Sequence, residues 1–516
     1  MFAPMSRGIV RLVLALLLLI ALVTGACRWL LPERFAVNAP IRQLLFGTGR
    51  DAPAAEAIGE LLSVPDGFAI ELWADGLPNA RFMRFTPAGD LLVSTPRSGR
   101  IVLVERDRDG DGRPDAQRTL LENLDRPHGL DLSEGWLYVG ETGAIARVRF
   151  DANRGAIEGA VERVVTDLPA GGNHWTRTLR FGPDGWLYVS VGSSCNVCIE
   201  TDPRRAALLR YRPDGSDEQV VATGLRNSVG FDWQPETGDL YATDNGRDLL
   251  GDDFPPCELN RIVSGGFYGW PFANGARVPD PDFGAGREEE IAGSIPPVHE
   301  FRAHNAPLGI HFLRGEHWPP PYRHAAIVAL HGSWNRTRKD GYEVVSLHWG
   351  ADGAIEERRF AAGFLREDGE VIGRPVDVAE GPDGAVYVSD DYAGAIYRIA
   401  RTGATRRVRT AGAAGAAAQG LGPDPLAGLP VSEREAAQER GAASYETHQC
   451  ARCHDAERAE PGVIPVPLDA ERLRSKYDIE RLSAYLLAPT PPMPAFPLEE
   501  SERRDLAGFL LARPAR

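Results

Sequence analysis

From residue 86 onward, short apolar runs alternate with turns built from Pro, Asp and Gly, and one phrase of turn plus strand keeps returning. Its copies are Thr86-Pro-Ala-Gly-Asp-Leu-Leu-Val-Ser94, Ser133-Glu-Gly-Trp-Leu-Tyr-Val-Gly140, Gly182-Pro-Asp-Gly-Trp-Leu-Tyr-Val-Ser190 and Pro235-Glu-Thr-Gly-Asp-Leu-Tyr-Ala-Thr243. Two more follow, Ala325-Ala-Ile-Val-Ala-Leu-His331 and Gly381-Pro-Asp-Gly-Ala-Val-Tyr-Val-Ser389. The copies start about 45 to 60 residues apart, with one gap near ~90, and a period of that size is what one four-stranded blade consumes. Six copies predict an all-β six-bladed β-propeller over residues 60–401.

The pattern changes twice outside that region. Residues 402–431 hold mainly Ala, Gly and Pro, which cannot bury a core, and read as a linker. Beyond it, 432–444 is polar and helix-forming, and 498–512 carries apolar residues at helical spacing behind a Glu-rich start. A small all-α domain over 432–516 is expected. At the other end, residues 12–27 form an apolar run preceded by Arg7 and Arg11. This has the charged start and apolar centre of an export signal, so residues 1–31 read as a signal peptide or membrane anchor and 32–59 as a linking segment. Thr24-Gly25-Ala26 offers small residues for cleavage, and Cys27 is a candidate lipid attachment point. A periplasmic location is expected, released or attached to the membrane through this segment.

Composition narrows the function classes. The 516 residues carry 57 basic and 72 acidic side chains, a formal charge of −15 that repels phosphate backbones and disfavours nucleic acid as a partner. Apolar residues at 43% and charged residues at 25% are ordinary globular usage and exclude a wholly disordered or multi-span membrane chain.

The most specific chemistry lies near the C-terminus. Cys450-Ala-Arg-Cys453-His454 is a C-x-x-C-H haem c attachment sequence: two thiols one helical turn apart can add to the vinyl groups, and the next side chain ligates the iron. Met493 in Pro491-Pro-Met-Pro-Ala-Phe496 is the candidate sixth ligand, one of only four Met in the chain. A zinc half-site or a redox dithiol is the alternative, but no second ligand pair follows. The segment 432–516 resembles class I cytochrome c domains, with a helix running into the motif, a Met-Pro loop and a closing helix bearing Leu506, Phe509 and Leu510. Such domains carry electrons and make or break no bonds, so catalysis belongs elsewhere.

Four stretches of the propeller region carry a second resemblance: Asn173-His174-Trp-Thr-Arg-Thr-Leu-Arg-Phe-Gly-Pro-Asp-Gly185, Gly224-Leu-Arg226-Asn227, Gly265-Gly-Phe-Tyr-Gly-Trp-Pro271 and His331-Gly-Ser-Trp-Asn-Arg336. Over about residues 60 to 400 the chain resembles the soluble glucose, aldose sugar and sorbosone dehydrogenases that use pyrroloquinoline quinone (PQQ). Ser193-Ser-Cys195-Asn-Val-Cys198 and the attached cytochrome-like segment are closer to the sorbosone branch. The resemblance implies that His174 is the general base, that Arg226 stabilises charge on the quinone oxygen and that Asn227 hydrogen-bonds the cofactor. It also implies a calcium ion on the backbone carbonyls of Gly246 and Arg247, where Arg247 replaces a proline of the glucose enzymes. Arg374 aligns with an arginine that binds a cofactor carboxylate. A second arginine expected two positions on is Val376 here, and Asn335 and Arg336 are the candidates to compensate.

Several residues keep two readings. His128 opens a blade strand as substrate contact or scaffold. The run Asp107-Arg-Asp109-Gly-Asp111 begins like a calcium loop, but Arg118 stands where a closing Glu belongs, which favours an acidic turn. In an oxidising compartment Cys195 and Cys198 are expected to form a local disulfide. Cys257 has no evident role. Taken together, the expectation is a periplasmic quinohaemoprotein that oxidises a sugar, alcohol or aldehyde with PQQ and passes electrons through haem c to a cytochrome or oxidase. A calcium-dependent propeller lactonase and a non-catalytic propeller serving a cytochrome are the alternatives.

Overall fold

The computed structural model describes residues 36–40, 49–402 apart from 316 and 351, and 431–455. Between 456 and 512 it describes 458, 468, 473, 477–487, 489, 493, 496 and 498–512. The export segment, Cys27 and nearly all of the 402–431 linker lie outside the described residues. Among those described, no helix is long and apolar enough to cross a membrane. They form two compact units, one holding the sheets and one the C-terminal helices.

The first unit is the expected propeller. Six antiparallel blades begin with the inner strands Met83–Phe85, Leu130–Ser133, Leu179–Phe181, Phe231–Trp233, Pro307–Phe312 and Pro375–Glu380. Each recurring phrase is the turn after an inner strand followed by the second strand. Those second strands are the most completely buried: Leu91–Thr95, Leu187–Val191, Leu240–Asp244, Ala326–Leu330 and Val386–Asp390 are buried at every position. A strand packed on both faces by neighbouring blades is apolar or small throughout, which is why the phrase was so legible. The ring closes by pairing Phe68–Ala74 with Ala395–Arg401, Phe68 opposite Arg401 and Ile70 opposite Ile399. This joins the two ends of the propeller in one sheet, so backbone hydrogen bonds close the ring.

The long gap between the fourth and fifth copies is an insertion between strands Cys257–Ile262 and His299–Phe301 of one blade. Within it, Gly266–Phe267 adds a parallel fifth strand to the preceding blade, against Ala222 and Thr223. Tyr268 N donates to Thr223 O at 2.9 Å and Trp270 N to Gly224 O at 3.2 Å. The Tyr-Gly-Trp-Pro stretch is therefore scaffold: it pins the turn two residues before Arg226.

In the second unit, helix Val431–Thr447 packs against helix Glu500–Ala512. A Cβ on Gly441 would lie 2.5 Å from Phe509 Cβ and 2.3 Å from Asp505 O, so glycine lets the two helices cross closely. Their core joins Tyr445, Leu482, Leu486, Leu506 and Leu510.

Candidate active site

In an antiparallel blade, the loop entering the inner strand and the loop leaving the second strand emerge at the same end. All four resembling stretches but the Tyr-Gly-Trp-Pro one contribute loops of this kind, and they surround a cavity of about 370 Å³. Arg81, His174, Trp175, Arg226, Asn227 and Leu308 reach it from loops or starts of inner strands, and Asn245, Gly246, Asp248, His331 and Trp334 from loops leaving second strands. A larger cavity of about 780 Å³ lies elsewhere, around Glu236, His324 and His348, and includes none of these residues.

His174 is built as a base. Its Nδ1–H donates to Ser193 O at 2.9 Å and lies 3.0 Å from Ser193 Oγ. That fixes the tautomer and leaves the Nε2 lone pair without a partner among the described residues. Burial and then the Arg226 charge push the imidazole down to about 3, so it is neutral at physiological pH. Ser193 joins the two principal residues, since its N–H donates to Arg226 O at 2.8 Å and its hydroxyl to Cys195 O at 2.7 Å. Gly192 is held to glycine by close approach: a Cβ there would lie 2.6 Å from both Asn227 Oδ1 and His174 Cβ.

Arg226 is fixed by five donations. Nε reaches Asn196 O at 2.9 Å, Nη2 reaches Asn196 Oδ1 at 2.9 Å and Asp248 Oδ2 at 3.0 Å, and Nη1 reaches the carbonyls of Asn245 and Gly246 at 3.1 and 3.0 Å. Burial raises the Asp248 carboxyl, but His304 and Arg226 outweigh it and hold it below the usual carboxylate range. Asn227 lines the cavity, its N–H donating to Asp244 Oδ1 at 2.6 Å.

The structure also corrects or completes the sequence reading. Asn335 does not line the cavity: its Nδ2 donates to Ala36 O at 2.7 Å and its Oδ1 accepts from Leu249 N at 2.8 Å. Arg336 bonds Ala303 O at 3.1 Å and Asp252 O, so loop closure consumes the two residues expected to compensate for Val376. Trp334, beside them, is 41% exposed and does line the cavity. His128 is fully buried behind Trp175, its ring 4.3 Å from Phe82, and is scaffold. Cys195 and Cys198 form the expected disulfide. Cys257 faces the cavity, but burial pushes its thiol up to about 11, which keeps it protonated. Asp107 accepts from Gly110 N and Gly112 N and caps its own turn. Asp248, His304, Arg81 and Asp391 escaped sequence reasoning, while His331 lay in a quoted stretch without a role of its own. Asn196 likewise lay inside the unusual Cys-x-x-Cys loop without a role.

The donor sets bear differently on the three expected cofactors. For PQQ, the cavity lies in the size range of small-molecule sites and offers cationic side chains, two indoles and a free base. For calcium, the set fits poorly at Gly246, whose carbonyl already accepts from a guanidinium that repels a cation; the Arg247 side chain pairs with Asp280 at 2.7 Å and Asp282 at 2.9 Å. For haem, Cys450 and Cys453 are unbridged thiols, Cys450 at the N-cap of helix Ala451–His454 and Cys453 within it, and Cys450 and Met493 pack on the same apolar core.

Comparison with known proteins agrees with the propeller. The TrAA12-like family matches residues 62–254 and 287–402. An uncharacterized protein of Borreliella burgdorferi is 30% identical over 67% of this chain and 92% of its own length. A pyrroloquinoline quinone-dependent pyranose dehydrogenase of Coprinopsis cinerea is 24% identical over 66% of this chain, and the match spans about half of that protein, 54%. An aldose sugar dehydrogenase of Escherichia coli is 23% identical over 66% of this chain and 94% of its own. The calcium structure of a Trichoderma reesei carbohydrate-active enzyme of family AA12 superposes with a TM-score of 0.58 at 22% identity, covering 66% of this chain and 97% of that one. With its blades, its mouth and the matched residues in agreement, the chain belongs to the TrAA12-like family.

Proposed function

We propose that this chain is an exported quinohaemoprotein that oxidises an aldose-type sugar or a related alcohol or aldehyde. The observation that carries the reading is the neutral His174, its Nε2 lone pair unpartnered among the described residues beside the Arg226 guanidinium in a cavity of cofactor size. Relatives named as PQQ-dependent and aldose sugar dehydrogenases support the choice of cofactor and substrate class.

When bound, PQQ supplies a quinone that accepts a hydride. His174 Nε2 takes the proton of the substrate hydroxyl while the carbon loses its hydride, so the substrate gives up two electrons and one proton leaves on the imidazole. Ser193 holds the ring in the productive tautomer throughout. Arg226, locked by Asn196 and Asp248, presents a fixed positive charge where negative charge develops, at no cost of reorganisation. Asn227 and Trp334 contribute a polar contact and an aromatic wall. No calcium step is included, because the Gly246 carbonyl is held by Arg226.

In the C-terminal unit, Cys450 and Cys453 would bind haem covalently, with His454 and Met493 on the iron; haem then supplies single-electron transfer. Tethering a cytochrome to the propeller raises the acceptor's effective concentration. A downstream cytochrome or oxidase is the final acceptor in this reading. The test is reconstitution of the purified chain with PQQ and a panel of aldoses, sorbosone and simple alcohols, followed by dye reduction. PQQ-dependent turnover of at least one sugar supports the reading; none with any substrate, or acid release without dye reduction, refutes it.

A further inference from the structure

We propose that Arg177 and Arg205 are positioning residues for the base: together they grip the main chain of the segment that carries His174. The inference rests on the reading of His174 given above. That segment approaches its inner strand through Pro169-Ala-Gly-Gly-Asn173, where Gly171 and Gly172 both take positive φ, 81° and 78°. A glycine pair of this kind leaves the chain free to take many conformations unless something outside it holds it. Two guanidinium groups do so. Arg177 donates from Nη1 to His174 O at 3.1 Å and Thr176 O at 2.7 Å, and from Nη2 to Pro169 O. Arg205 donates from Nη2 to Ala170 O and Gly171 O, each at 2.7 Å, and from Nη1 to Gly192 O at 3.3 Å. Arg205 therefore ties the segment to the residue before Ser193, whose carbonyl accepts from His174 Nδ1.

The acceptors separate this pair from the other arginines nearby. Arg81 and Arg226 pair with Asp391 and Asp248, and Arg374 Nη2 reaches His331 Nδ1 at 2.9 Å. Among the described residues, Arg177 and Arg205 meet main-chain carbonyls only. Arg177 is fully buried, its Nε has no partner, and burial followed by the Arg205 and Arg126 charges pushes its guanidinium down to about 9. A buried charge without a counter-ion is costly, and an apolar side chain of like volume would serve a mere scaffold better. What the guanidinium adds is a planar fork whose donors fix several carbonyls at once. The fork itself stands on firm ground: Arg177 O accepts from Gly129 N of the preceding blade at 3.0 Å, and a Cβ on Gly140 would lie 2.2 Å from that oxygen. His174 is thus held through its main chain by Arg177, through the loop before it by Arg205 and through Nδ1 by Ser193, which together aim Nε2.

The test is a double-mutant cycle on the full, PQQ-loaded chain: Arg205→Gln and Arg177→Met, each alone and each combined with His174→Ala. Dye-reduction kinetics, PQQ affinity by equilibrium dialysis and thermal melting are read for every variant, and Arg205→Gln keeps the test decisive if Arg177→Met does not fold. Each single variant is expected to lose kcat by on the order of 10- to 100-fold, with KM and the Kd for PQQ within about threefold of wild type. In the His174→Ala background the further loss is expected to stay below about twofold, because a residue acting through His174 has nothing left to position. Arg205→Lys keeps the charge, but its compact ammonium cannot span both chain segments, and it is expected to recover less than about a fifth of wild-type kcat. Unchanged kcat in folded Arg205→Gln overturns the inference alone. Equal losses in the two backgrounds, which would make the pair scaffold, also overturn it, as does full recovery by lysine, which would assign the effect to charge. A wild type without PQQ-dependent turnover, or a fully active His174→Ala, overturns the reading of the site itself.

Discussion

Asn196 holds Arg226 twice, its carbonyl accepting from Nε and its side-chain oxygen from Nη2, each at 2.9 Å. Asn196 lies inside the three-residue-separated Cys195–Cys198 bridge, and Cys195 O anchors the hydroxyl of Ser193 under His174. One small loop thus positions the proposed base and the proposed charge stabiliser together. Opening it with Cys195→Ser plus Cys198→Ser is expected to lower kcat by roughly tenfold or more with a smaller change in KM. Steady-state kinetics of the PQQ-loaded chain checks this, and an unchanged kcat would free the loop of any positioning role.

Replacing the base separates chemistry from binding. His174→Ala is expected to reduce kcat by on the order of 10²- to 10⁴-fold while PQQ affinity stays within a few fold. Dye reduction and dialysis, run on the same preparation, read the two effects.

Gly192→Ala tests the close approach behind the site. Its Cβ would meet Asn227 Oδ1 and His174 Cβ at 2.6 Å, so those side chains must move. A stability loss of about 1–3 kcal/mol with a larger fall in activity is expected, measured by thermal melting and turnover.

A pH dependence of stability follows from two carboxyls facing one another across paired strands, Asp244 and Glu258. Burial lifts Asp244 to about 7, and burial followed by the Asp244 charge lifts Glu258 to about 8. The native state therefore keeps protons that the unfolded chain releases near pH 4 to 5. Their stabilising contribution is complete at low pH and is lost as pH rises through the native values, into the range 7–8. Glu258→Gln removes the penalty. Asn260 Oδ1, now without a partner, can turn to accept from the new amide, while Gly275 N keeps its acceptor. The variant is expected to gain on the order of 1–3 kcal/mol over wild type at pH 8.5 and little at pH 5. Melting curves across that range decide it; equal gains at both pH values would remove titration as the cause.

What the sequence made legible follows from locality. The blade phrase could be read because five of the six second strands are buried at every position and the sixth at all but Trp136, and turn and strand lie within ten residues of each other. His174, Arg226 and Asn227 could be nominated because each sits in a contiguous motif, and the blade order brings their loops to one cavity. The Arg81–Asp391 contact could not be found this way, since its partners are 310 positions apart and meet only when the ring closes. Asn335 and Arg336 misled for the converse reason: their motif reaches the mouth through Trp334, while loop closure turns their own polar groups to Ala36, Leu249, Ala303 and Asp252. Residue type suggested anion binding, but which acceptor each donor meets is set by loops distant in sequence.

The central claim, two redox centres working in one polypeptide, is tested most directly by the anaerobic visible spectrum of the purified, oxidised, PQQ-loaded chain on adding an aldose. The account predicts growth of the reduced haem c bands only when both sugar and PQQ are present, and none in the His174→Ala variant over the same time. Sugar oxidation to an added dye while the chain's own spectrum stays oxidised, or no covalent haem at Cys450 and Cys453, would contradict it.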